Sequence, residues 1–177
     1  DPDYYPLTVA NYGLGGNSGG KLFQVLREEK GYTYGAYSNI SSSNQKAPFG
    51  AYSSVKTNVT AQSVEAFKEV IENYKTEYSQ EELDKARNAL IRKEAREYET
   101  LSQKLSVLQQ IASYGLPKDF IQQNQAELKA YTVEDMQRVM DKYMNVDEMS
   151  YIIVGDAKTQ LKEVENLNLK EVVKVDE

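Results

Sequence analysis

The sequence predicts an α+β domain: a largely antiparallel sheet with its helices gathered on one face as a two-layer sandwich. Three observations predict it. Two neighbouring segments alternate with a two-residue period, and the stretch between them is short enough for a hairpin connection. Several longer stretches carry apolar residues at helical spacing. The order is helix, strand, strand, three or four helices, strand, which segregates the two kinds of element instead of alternating them.

Tyr5, Val9 and Tyr12 sit at helical spacing between Tyr4 and Leu14, with Pro6 tolerated in the first turn. A glycine-rich break runs from Gly13 to Gly20, and Leu22, Phe23 and Leu26 then read as a short helix that stops at Gly31. Tyr34, Ala36, Ser38 and Ile40 form one alternating row, and Phe49, Ala51, Ser53, Val55, Thr57 and Val59 form the other. Ser41 to Pro48 joins them, so the pair is expected to be antiparallel.

Val64, Phe67, Val70, Ile71 and Tyr74 define the apolar face of the next helix. Ser79 and Glu82 have the spacing of a capping box. Leu83, Ala86, Leu90, Leu101, Leu105, Leu108 and Ala112 keep helical spacing over about thirty residues, so a break is expected near Thr100. Gly115-Leu-Pro117 ends this arm. Thr132 caps a further helix with Val133, Met136, Met140 and Tyr143 on one face. Met149 to Val154 reads as a short apolar strand closed by Gly155-Asp156, and 157–177 as a trailing segment. Each amphipathic face is expected to be core. A three-stranded sheet is thin for so many helices, which points to strands missing on the amino-terminal side. Such a gap would leave a sheet edge open to self-association.

The 177 residues fit a single domain, with no repeat or linker to divide it. Composition narrows the chemistry. There is no cysteine, which excludes disulfides, thiol catalysis and iron–sulfur ligation. There is no histidine either, which removes Ser–His pairs and histidine-ligated zinc. The net charge of −6 argues against nucleic acid and anionic membranes as partners, and no apolar run reaches the length of a spanning helix. The chain begins at Asp1, so it is expected to be a piece of a longer protein. Acidic charge is compatible with cytoplasm or periplasm alike.

Several motifs invite a functional reading. Gly15, Gly20 and Lys21 match most of a phosphate-binding loop, but Leu22 stands where a magnesium-binding hydroxyl is needed and the preceding segment is helical. A dinucleotide fingerprint fails because Ser18 occupies its third glycine position. The glycine run is better described as a tight connection between two helices. Glu94 and Glu97 share a helical face but have no predicted third ligand. Asn39 and Asn58 stand in glycosylation sequons on predicted strands, which carry little weight without a secretory context.

Arg27 ends a helix and Tyr34 begins a strand seven positions later (34 − 27), with a turn at Gly31 between them. Guanidinium and phenol at one edge offer hydrogen-bond donors to a carbonyl or developing oxyanion. On spacing alone, an ordinary helix-to-strand junction describes the segment better.

The run LGGNSGGKLFQVLREEKGYTYGAYS resembles the signature of the non-catalytic domain of the pitrilysin/insulinase-like zinc metallopeptidases. YSQEELDKARNAL, GLPKDF and AYTVEDMQRVMDKYMNVDEMSYIIVGD follow in the family's order, so the resemblance covers about residues 3–156. The chain is similar both to long bacterial zinc proteases and to mitochondrial processing peptidase. The catalytic domains of that family carry an H-x-x-E-H zinc motif, which a chain without histidine cannot supply.

The resemblance therefore implies a partner domain that lines the substrate chamber and contacts a peptide substrate. It also implies zinc in a separate catalytic domain, with no metal here and no activity in this chain alone. The family's L-R-x-x-x-G-x-x-Y pattern assigns substrate contact to Arg27 and Tyr34, with Gly15, Gly16 and Gly31 as structural loop positions. A proteolytically inactive scaffold of the same fold is the alternative. Two departures stand out: Gly20 and Lys21 occupy positions where the family often has serine and arginine, and the family's leading strands are not in this chain.

Overall fold

The fold was obtained as a computed structural model, and it describes residues 1–41, 48–96, 99–169 and 172–175. Helix α1 (Tyr4–Leu14) leads into α2 (Lys21–Phe23), which continues as a π-helical turn over Gln24–Glu29. Strands β1 (Thr33–Ile40) and β2 (Phe49–Val55) pair antiparallel, with Tyr37 opposite Tyr52 and Ile40 opposite Phe49. A 3₁₀ turn at Thr57–Val59 precedes α3 (Thr60–Glu77). Then come α4 (Gln80–Arg96), α5 (Leu101–Tyr114), α6 (Phe120–Ala130), α7 (Val133–Tyr143) and α8 (Ala157–Glu165).

Helix α1 is the centre of the packing. Leu7, Val9, Ala10 and Leu14 are buried, and α1 packs against β1, α4 and α7. Leu22 and Leu26 from α2 and its π-turn, Val70 and Ile71 from α3, Leu83 from α4, Leu128 from α6, and Met136 and Met140 from α7 complete one core. Polar clamps tie α1 to its neighbours. Tyr74 donates to Ala10 O at 2.9 Å, and Tyr5 donates to Glu94 Oε1 at 2.9 Å. Burial raises the pKa of both phenols, so they remain proton donors. Buried Asp3, just ahead of α1, receives Arg138 Nη1 and Lys142 Nζ at 2.7 Å each and the Tyr143 hydroxyl at 3.0 Å.

The helix boundaries follow the capping chemistry. The break expected near Thr100 is present: Thr100 caps α5 in a reciprocal box with Gln103. Thr132 does the same for α7 with Asp135, and the Glu82 amide donates to Ser79 Oγ at 3.4 Å. Gly115 closes α5 in the left-handed conformation, φ 62°.

Four expectations require correction. Residues 149–154 form no strand; Ile152 and Val154 are 89% and 95% exposed, and among the described residues the sheet has two strands. A strand holds its shape through pairing, and this segment has no partner strand among the described residues. Strand β2 ends at Val55, before the row expected to reach Val59, because 57–59 tighten into the 3₁₀ turn that opens α3. Helix α5 buries none of its residues: Leu101, Leu105 and Leu108 face solvent, not core. Part of the expected trailing segment is helix α8, capped by Asp156, whose carboxylate accepts from the Lys158 amide.

Candidate functional site

The Arg27–Tyr34 segment is shaped by two local irregularities, one on each side of Gly31. On the helical side, the π-turn carries Arg27, and the Lys30 amide donates to Val25 O at 3.0 Å. Such turns widen a helix by one residue and change where its side chains point. Arg27 lies over the Phe23 ring, its guanidinium carbon 4.7 Å from the centroid. Gly31 then reverses the chain with φ +64°, a conformation in which a Cβ would be strained although no atom lies nearby.

On the strand side, Thr33 pairs with Val55 and Ala36 with Ser53, so β1 spends three steps where β2 spends two. This is a β-bulge, and it breaks the expected row. Ala36 and Ser38 are buried, but Tyr34 leaves their company and is 92% exposed. Two hydroxyls lock the bulge. Ser53 donates to Thr33 Oγ1 at 2.8 Å, Thr33 donates to Ser54 O at 2.6 Å, and the Gly35 amide donates to Thr33 Oγ1 at 3.1 Å.

The glycine loop sits behind this edge. Gly15 O accepts from the Ser38 amide at 3.0 Å, and Asn11 exchanges hydrogen bonds with Ser38 at 2.5 and 3.1 Å. A Cβ at Gly15 would fall 2.5 Å from Ser38 N and Oγ. The Gly16 amide donates to Asn11 O at 3.0 Å, closing the end of α1. The loop therefore joins helix α1 to the buried face of β1.

Arg27 and Tyr34 are thus presented to solvent from the two ends of one short turn, and no hydrogen bond joins them among the described residues. The sequence reading missed an aromatic row beside them. Phe23 and Tyr37 have ring centroids 6.4 Å apart, and Tyr37 and Tyr52 pair across the strands at 6.1 Å. The four-residue spacing of Phe23 and Arg27 was the available signal for its first member (27 − 23).

The residues present do not fit a zinc ion. Among the described residues no group of three or more acidic, histidine or cysteine side chains is placed to hold a metal. Glu97, which shares a helical face with Glu94 by spacing, lies outside the described residues. Glu94 itself is used structurally by Tyr5. No helix among the described residues is long and apolar enough to cross a membrane.

Residues 1–90 match the family described as the peptidase M16 inactive domain. The chain belongs to that family. This agrees with the zinc-metallopeptidase resemblance carried by the four motifs. The M16 inactive domain is 23% identical over 151 residues to the non-peptidase homolog YmxG of Helicobacter pylori, covering 85% of this chain and 35% of that protein. It superposes on the M16 inactive domain from Pseudomonas fluorescens with a TM-score of 0.74 and 26% identity, over 82% of this chain and 35% of the other. A protease from Helicobacter pylori gives the same TM-score at 20% identity, again over 82% and 35%. The chain thus spans about a third of the length of these relatives, and the last comparison bears on the fold alone.

Proposed function

We propose that this M16 inactive domain is the substrate-holding half of a zinc metallopeptidase, lining the substrate chamber while zinc sits in a separate catalytic domain. The observation that supports this reading is the exposure of Arg27 and Tyr34 on either side of Gly31. Each side chain is displaced from regular geometry by a π-turn or a bulge instead of being absorbed into the core. A large phenol held almost wholly in water contributes little to folding, which favours a contact outside this chain. Arg27 and Tyr34 would donate hydrogen bonds to the carbonyls of a bound peptide, and the aromatic row of Phe23, Tyr37 and Tyr52 would give its side chains an apolar surface.

The experiment is peptide turnover by the intact protein with its catalytic partner, wild type against Tyr34→Phe. A loss of about 10²-fold in kcat/KM is expected, by analogy with other single donors to a reacting carbonyl. Unchanged turnover would remove Tyr34 from the proposed role.

The Helicobacter pylori relative, named as a non-peptidase homolog, favours a second reading: a scaffold that keeps the fold without proteolysis. The two separate on the flanking coding sequence. An H-x-x-E-H motif there, or in an associated chain, supports the first, and its absence from both supports the second.

A further inference from the structure

A cleft of about 440 Å³ opens between α1, α4 and α5, lined by Tyr12, Ala89, Arg92, Lys93, Arg96 and Gln103, none of them in the Arg27–Tyr34 segment. Its chemistry runs against the rest of the chain. The protein carries a net charge of −6, yet two arginines and, among the described residues, no carboxylate line this cleft. Ala89, Arg92 and Arg96 are spaced i, i+3, i+7 on α4, so they share one helical face, and the small alanine leaves the room between the arginines and α1.

Two further cations of α4, Lys85 and Arg87, are engaged. Lys85 lies 2.9 Å from Glu81 and 3.3 Å from Glu82, while Arg87 contacts Asp84 and donates to the carbonyls of Leu128 and Tyr131. Arg92 and Arg96 make no ion pair among the described residues. Gln103 Oε1 accepts from both the amide and the hydroxyl of Thr100, so its amide nitrogen is the end left to donate. Cations at the end of a helix complement its dipole, but that role needs neither a cleft nor a second helix closing it. Guanidinium groups present planar forks that match oxyanions in two-point contact.

We propose that this cleft is an oxyanion-binding site, in which Arg92 and Arg96 grip the ligand and the Gln103 amide adds a donor. The shared chemistry is a doubly oxygenated anion, found on the carboxylates of an acidic peptide or on a phosphate. Calorimetric titration of the intact protein with pyrophosphate, blocked tri-glutamate and blocked tri-glutamine, at low and at physiological salt, tests it. Saturable binding of pyrophosphate or tri-glutamate is expected, weakened by salt. The Arg92→Gln/Arg96→Gln variant should lose roughly tenfold or more in affinity, and Lys104→Gln, outside the cleft, should lose nothing.

Binding of pyrophosphate alone assigns the site to phosphates, and binding of tri-glutamate alone assigns it to peptide carboxylates. Absence of binding by both, equal binding of tri-glutamine, or wild-type affinity in the double variant overturns the proposal. If the double variant loses helicity, the wild-type amide resonances of Tyr12 and Gln103 decide the matter. Shifts on titration support the site, and unmoved resonances overturn it.

Discussion

Gly15 and Ser38 are in backbone contact: the Ser38 amide donates to Gly15 O at 3.0 Å, and any Cβ on Gly15 would lie 2.5 Å from Ser38 N. This contact fastens the end of α1 to the buried face of β1. Gly15→Ala is therefore expected to destabilise the chain by about 2–3 kcal/mol, because the strand has to move away. Urea unfolding of wild type and variant measures it, and an unchanged midpoint would show that the loop yields without strain.

Gly31 differs in kind. Its requirement is conformational, with φ +64° and open space around it. Gly31→Ala should cost about 1 kcal/mol, and Gly31→Asn distinctly less, since asparagine tolerates the left-handed region. The order of the two unfolding midpoints is the check: equal losses would contradict the conformational account.

The bulge beside Tyr34 rests on hydroxyl contacts. Thr33→Val keeps the shape of the side chain but strands the Gly35 amide and takes the hydroxyl donor from Ser54 O, while Ser53 keeps Gly35 O as an acceptor at 2.8 Å; a loss of about 1–2 kcal/mol is expected. If bulge and exposed phenol are coupled, Thr33→Val should also alter the chemical shifts of the Tyr34 ring. A variant that loses stability while those shifts stay put would separate the bulge from the orientation of Tyr34.

Asp3 makes stability depend on pH. Hydrogen bonds from Lys142 and then Arg138 outweigh the opposing effect of burial and lower its pKa from 3.8 to about 2. A depressed carboxylate pKa stabilises the fold above the unfolded value, and that contribution is lost as pH falls from about 4 to about 2. With both cations more than half exposed, screening leaves about 1–2 kcal/mol. Asp3→Asn should be less stable than wild type near neutrality, with the gap closing towards about pH 2. Parallel denaturation curves at the two pH values test this, and a gap that persists in acid would refute it.

Much of this molecule can be read from local patterns. The apolar rows of α3 and α7, the caps at Ser79 and Thr132, the break at Thr100 and the β1–β2 hairpin depend on neighbours a few residues apart. So does the absence of histidine, which excludes a histidine-ligated catalytic zinc site from this chain whatever its fold.

Other features needed contacts between distant residues. Residues 149–154 have the apolar run of a short strand but, among the described residues, no strand to pair with, and Leu101, Leu105 and Leu108 have a core helix's spacing but face solvent. Periodicity records a capacity for burial; only a partner surface turns it into burial. The position of Tyr34 belongs to this second group as well. A two-residue period places it beside Ala36 and Ser38, and a single extra residue in β1, held by Thr33 and Ser53, moves it into solvent. The bulge exists because two strands are out of step, a relation between twenty-residue neighbours that no local pattern contains.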